Sequence, residues 1–184
     1  MTDTPRLAPI ATEGRDPRTA ELLASLRFDP DGPDLNLFAT LAHHPRLLKR
    51  WSAFGGLLLA GGVLPARDRE VLILRTAANC GAHYEWGHHV GIGRAVGLTD
   101  AEIDALAGPG AAEVDDTLVR AADELHADAE ISDDTWAELA ARYDAAQLVE
   151  VPMVVGQYHL VAFTLRSLRI QPEDGGTPIP GLDS

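Results

Sequence analysis

Arg67-Asp-Arg-Glu70-Val-Leu-Ile-Leu-Arg75, followed by His83-Tyr-Glu-Trp-Gly-His-His89, is the stretch from which the rest of the chain is best read. In the first segment a charged start gives way to Val71, Leu72, Leu74 and Ala78, an apolar stripe at helical spacing that predicts a helix over residues 66–80. Gly81 marks a break. The second segment predicts a helix over residues 84–96, with Gly97 at its C-terminal cap. On that helix Glu85 and His89 stand at i and i+4 and share a face, with His88 beside them. If the two helices pack antiparallel, Glu70 reaches the His89 region. A carboxylate within hydrogen-bond reach of an imidazole is a usable acid–base pair.

Working outward, the pattern stays helical. Residues 17–26 read as a short helix ended by Asp29-Pro-Asp-Gly-Pro33, and residues 35–42 as another stopped before Pro45. Pro45 opens a third, with Leu47, Leu48, Trp51, Phe54 and Leu58 on one face. Thr99-Asp-Ala-Glu102 is a capping box opening a short helix that ends at Gly108-Pro109. Residues 114–129 are amphipathic, with Leu118, Ala121, Ala122 and Leu125 inward, and Ser132 caps the next helix. Asp144 begins a long helix over residues 145–168, where Pro152 predicts a kink or break near Val151. No stretch alternates as a strand would. The expected fold is all-α: one helical domain over residues 17–170, about eight helices packed as antiparallel pairs. Residues 1–16 and 171–184, the latter with three prolines and three glycines, read as loose tails.

With 184 residues the chain is long enough for one well-buried core. Its formal charge of −13 argues against nucleic acid or an anionic membrane as partner, because phosphate contacts need a basic footprint. Cys80 is the single cysteine, so neither an intrachain disulfide nor a C-x-x-C pair exists. The N-terminus lacks the basic and apolar regions of a secretory signal. The most apolar runs, residues 57–60 and 149–155, fall short of the ~20 needed to span a bilayer. A cytoplasmic protein with no membrane partner is expected.

The polar cluster around His83–His89 is the candidate site: three histidines within seven residues, beside Tyr84, Glu85 and Trp86. Isolated groups of this kind are usually solvated surface side chains; their density here argues for a site. Arg75 and Arg166 stand inside apolar helices, where each either meets a substrate carboxylate or closes a structural ion pair. Gln157-Tyr158-His159 lies in an apolar stretch, as a hydrogen-bond knot of the core or as a pocket wall. His43-His44 sit at a helix junction, either lining a cleft or capping. Glu85-x-x-His88 matches one half of a di-iron bundle motif, but no second Glu-x-x-His occurs and Glu124-Leu-His126 has the wrong spacing. No metal and no cofactor are expected, and no phosphate loop or nucleophile elbow is present.

Arg67–Arg75, Tyr84-Glu-Trp-Gly-His-His89 and Gly97-Leu-Thr-Asp-Ala-Glu-Ile103 together resemble the carboxymuconolactone decarboxylase family, which includes the alkylhydroperoxidase D-like proteins. The resemblance is specific over about residues 64–106 and looser through His43-His44-Pro45 and the Gln157-Tyr-His159 helix. It implies an all-α fold, a homo-oligomer (trimer or hexamer) and sites near subunit boundaries. The peroxidase branch carries a C-x-x-C pair between its Glu and His; counted from Glu70, those positions hold Ala82 and Glu85, while His89 matches. Thiol peroxidase chemistry lacks its attacking and resolving cysteines here. What remains resembles the decarboxylase branch: a cofactor-free lyase or isomerase on a small conjugated acid or lactone. The resemblance implies Glu70, Glu85 and His89 as catalytic. Tyr84, Trp86, His88, Arg75, Tyr158 and His159 then contact the substrate. The alternatives are a redox protein working through Cys80 and an oligomeric binding protein that kept the fold without the chemistry.

Overall fold

The computed structural model describes residues 4–173 and 176–182; residues 1–3, 174–175 and 183–184 lie outside the described residues. The described residues form α-helices α1 (Pro17–Ala24), α2 (Asn36–Leu41), α3 (Pro45–Gly56), α4 (Ala66–Cys80), α5 (His83–Ala95), α6 (Asp100–Leu106), α7 (Ala112–Asp128), α8 (Asp133–Arg142) and α9 (Ala145–Leu168). A π-helical turn, Leu57–Gly61, extends α3, and no strand occurs among the described residues.

The centre is α4, packed between α9, α7 and α5. Val71, Leu72, Ile73 and Leu74 are all fully buried, so the helix is apolar on every side through its middle. That burial explains why its polar residues matter. Asp68 receives the Tyr143 hydroxyl at 2.7 Å and pairs with Arg142 at 2.8 Å, while Glu70 faces α5. The capping expectations hold: Thr99–Glu102 closes a reciprocal box on α6, Ser132 caps α8, and Asp144 caps α9 through the Ala146 and Gln147 amides.

Pro152 does not break α9, which runs as one helix of 24 residues. A proline inside a helix costs about 3 kcal/mol. Val151, Val154 and Val155 flank it at 0%, 0% and 1% exposure, and each buried valine contributes roughly 1.5–3 kcal/mol. Packing on α4 therefore outweighs the lost hydrogen bond. The real interruption lies in α7, where Asp115 is extended (φ −165°, ψ 98°) and accepts from the Leu118 amide at 3.1 Å. Unbroken, α9 is long and apolar enough to cross a membrane, unlike the shorter runs read from the sequence; its buried side is the core contact with α4.

The tails are held more firmly than expected. Arg6 bonds the Leu168 and Ser167 carbonyls, and Ile10 bonds Ala39. The C-terminal segment folds over α5: the Ile179 side chain is 1% exposed in the main core and its amide donates to His83 Nδ1. Gly87 permits this approach, since a Cβ there would stand 3.0 Å from the Thr177 amide nitrogen.

Candidate active site

Gly81 and Ala82 alone join α4 to α5. Gly81 is left-handed (φ 60°), a conformation that costs other residues roughly 1–2 kcal/mol. A Cβ there would also lie 2.9 Å from Arg166 Nη1, which donates to the Cys80 carbonyl at the end of α4. The tight turn lays α5 back on α4 and brings Glu70 to His89. Glu70 Oε2 lies 2.7 Å from His89 Nδ1, and Arg69 Nε donates to Glu70 Oε1 at 3.3 Å. Glu70 is 0% and His89 7% exposed, so the pair is shielded from water. A carboxylate can only accept, so His89 Nδ1 carries the proton and Nε2 is the nitrogen left for chemistry.

Glu85 stands one turn before His89, also buried, and neither of its carboxyl oxygens has a hydrogen-bond partner among the described residues. Burial pushes its carboxyl well above the ordinary range. An unpartnered carboxylate would be very costly there; the group is held as a neutral acid. Tyr158, on α9, sets its ring edge-on to the His89 ring at 4.9 Å. Burial, together with Glu70 and Glu85 nearby, raises its phenol well above the usual value, so it stays a proton donor.

A second polar chain joins α5 to the C-terminal segment. Tyr84 donates to Glu173 Oε1 at 2.8 Å, His88 Nε2 lies 3.2 Å from Oε2, and the Asn36 amide donates at 2.6 Å. Burial would raise the Glu173 carboxyl, but these donors outweigh it and bring it down to about 2.

Glu85, His88, His89, Tyr84, Gln157 and Tyr158 line one cavity of about 300 Å³, whose remaining wall is largely apolar, with Phe28, Phe38, Leu59 and Val161. That is the small end of ligand pockets. Trp51 Nε1 donates to Gln157 Oε1 at 3.2 Å, which orients the Gln157 amide with its nitrogen beside Gly55 on the cavity wall. A wider depression near the N-terminus contains His43 but no acid–base pair.

The sequence-predicted residues thus divide. Glu85, His89, Tyr84, His88 and Tyr158 meet at the cavity, with Glu70 behind His89. Trp86 is 1% exposed in the main core. Arg75 is clasped by Asp123 at 2.6 and 2.9 Å and by the Leu106 and Gly108 carbonyls, away from the cavity lining. His159 meets His126 instead, at 2.9 Å. His44 caps α3. Glu173 was not anticipated: it lies in a Pro/Gly-rich tail and carries no local pattern that would mark it.

Residues 45–127 match the model of the carboxymuconolactone decarboxylase family. No curated protein matches the chain. Among solved structures, an uncharacterized peroxidase-related protein from Silicibacter sp. TM1040 is similar at TM-score 0.78 and 15% identity, over 95% of this chain and 96% of that one. An alkylhydroperoxidase core protein from Ralstonia eutropha JMP134, also peroxidase-related and uncharacterized, gives 0.76 and 18%, over 94% and 98%. A cysteine-to-alanine variant of the debrominase Bmp8, in complex with 2,3,4-tribromopyrrole, gives 0.72 and 15%, over 92% of each. At these identities the likeness establishes an alkylhydroperoxidase D-like fold and leaves the reaction open.

Proposed function

We propose, for a chain whose residues 45–127 belong to the carboxymuconolactone decarboxylase family, a cofactor-free acid–base enzyme: a decarboxylating lyase or an isomerase acting on a small conjugated acid or lactone. The observation that carries this reading is Glu85. It is a buried, unpartnered carboxylic acid at a ligand-sized cavity, one helical turn from the Glu70–His89 pair. A structural network would satisfy that group. An unsatisfied acid facing a cavity is poised to give its proton to something placed there.

In the decarboxylation, the C–C bond to the carboxylate breaks, carbon dioxide leaves, and the electron pair passes into the conjugated carbonyl. Glu85 delivers its proton to carbon and is recharged from solvent. In the isomerisation, His89 Nε2 removes a proton and Glu85 returns one at the other end of the conjugated system. Glu70 holds the imidazole's tautomer and balances its charge when protonated. The developing oxyanion is met by the Tyr158 phenol and the Gln157 amide. Tyr84 and His88 are poorer oxyanion donors, because Glu173 already engages the Tyr84 hydroxyl and His88 Nε2.

Thiol redox chemistry finds little support. Ala82 and Glu85 occupy the positions of the missing cysteines, and burial, with Glu85 nearby, pushes the Cys80 thiol up to about 11. The chain is also read as a homo-oligomer, supported by Val149, Met153, Leu160 and Phe163 exposed along one face of α9.

The test is a thermal-shift screen of small unsaturated acids and lactones, followed by turnover of the hits. Glu85→Gln and His89→Gln each lower kcat at least ~100-fold while binding persists. Full turnover in both variants overturns the assignment.

A further inference from the structure

On the side of α9 away from the cavity, three side chains from three helices converge: Cys80 at the end of α4, His126 near the end of α7 and His159 on α9. Cys80 Sγ lies 3.9 Å from His126 Nδ1, His126 Nδ1 lies 2.9 Å from His159 Nε2, and the three donor atoms all fall within 4.8 Å of one another. None of these residues lines the candidate active site.

The hydrogen bonding there resembles that of a ligand set. His159 Nδ1 lies 2.8 Å from the Val155 carbonyl oxygen, which can only accept, so Nδ1 carries the proton. In the neutral ring the lone pair then sits on Nε2 and points at His126 Nδ1. A histidine whose outer nitrogen donates to a backbone carbonyl while the inner one faces other donors is the usual support of a metal-bound imidazole. Two imidazole nitrogens at 2.9 Å must share a proton or a cation. The thiol has only the weak 3.9 Å contact with His126.

A tetrahedral zinc with bonds of ~2.0–2.1 Å to nitrogen and ~2.3 Å to sulfur sets its ligands roughly 3.3–3.6 Å apart. The nitrogens need to part by a few tenths of an ångström, and the sulfur to close on both rings, from 3.9 Å to His126 and from within 4.8 Å of His159. His126 is exposed and His159 half-buried, so both can adjust and solvent can supply a fourth ligand. Thiolate with two imidazoles suits a borderline-soft divalent ion rather than magnesium or calcium.

We propose that Cys80, His126 and His159 form a site for one Zn²⁺-class transition-metal ion. On binding, the S–H bond is exchanged for an S–metal bond, the thiol proton leaves to solvent, and no oxidation state changes. The site is independent of the acid–base reading and stands or falls separately.

Metal-free protein is titrated with Co²⁺, then with Zn²⁺ in competition with a chromophoric chelator. The expected result is one equivalent per chain and a thiolate-to-cobalt charge-transfer band. Cys80→Ser abolishes that band. His126→Gln, at an exposed position where folding is not at stake, weakens Zn²⁺ binding more than ~100-fold, beyond the ~10–100-fold that losing an outer partner costs. Absence of the band in the wild-type protein, or Zn²⁺ affinity unchanged in His126→Gln, overturns the proposal.

Discussion

Replacing Glu85 by Gln tests whether a neutral carboxylic acid sits at the cavity. In the unfolded chain a glutamate releases its proton near 4.5; in the folded protein burial moves the release well above that. Between the two values the unfolded state has lost a proton that the folded state keeps. A raised pKa therefore gives stability that is fully present below about pH 4.5 and lost as pH rises toward the folded value. The loss is ~1.4 kcal/mol per pH unit for one proton. The amide of the Glu85→Gln variant has nothing to titrate and a similar shape, so subtraction isolates the group. The variant-minus-wild-type difference in unfolding free energy grows in favour of the variant as pH rises above about 5, at up to ~1.4 kcal/mol per pH unit until the folded pKa is reached. Urea unfolding followed by tryptophan fluorescence, at one protein concentration, reads it directly. The pH at which the difference levels off is the folded pKa. A difference flat from pH 5 to 7 refutes the reasoning: the carboxyl would then ionise normally despite its burial, and the proposed proton donor is lost with it.

Three further outcomes are expected. His89→Ala removes the Nδ1–H donor from the buried Glu70 carboxylate, leaving the Arg69 Nε contact, and lowers stability by roughly 1.5–3 kcal/mol, the range for a hydrogen bond to a charged group, measured by denaturant unfolding. Glu173 has a depressed pKa, so its contribution is present above about pH 4.5 and is lost as pH falls toward about 2. That range corresponds to at most ~3 kcal/mol, reduced by solvent screening at this half-buried group; Glu173→Gln flattens that part of the acid-unfolding profile, and an unchanged profile disproves the role. Gly81→Ala forces a Cβ into a left-handed residue and toward Arg166, costing about 1–2 kcal/mol, or ~2–8 °C in Tm; an unshifted melting curve counts against the turn's strain.

Local chemistry carried far in this chain. The capping box at Thr99, the helix start at Asp144, the turn at Gly81 and the apolar spacing of α4 are short-range features, so the helices were legible from the residues themselves. Glu70 and His89 were also legible, because a tight connection between two helices leaves few ways to arrange them. The cases that failed are those where distant packing competes with a local preference. Pro152 stays helical because three buried valines press α9 onto α4. Arg75 turns to Asp123, a partner 48 residues away, rather than to a substrate.

What the sequence by itself determined is the helical order, the all-α class and the pairing of a carboxylate with an imidazole across one hairpin. What only the tertiary structure decided is which polar groups lie out of reach of water and of one another. Glu85 and Glu173 are the same residue type, yet one is stranded neutral in an apolar wall and the other is gripped by three donors from distant segments. Cys80, His126 and His159 are separated by 46 and 33 residues and meet only because α4, α7 and α9 share a core. Burial and long-range hydrogen bonding set the charge state of each group, and neither is written in the spacing of residues along a helix.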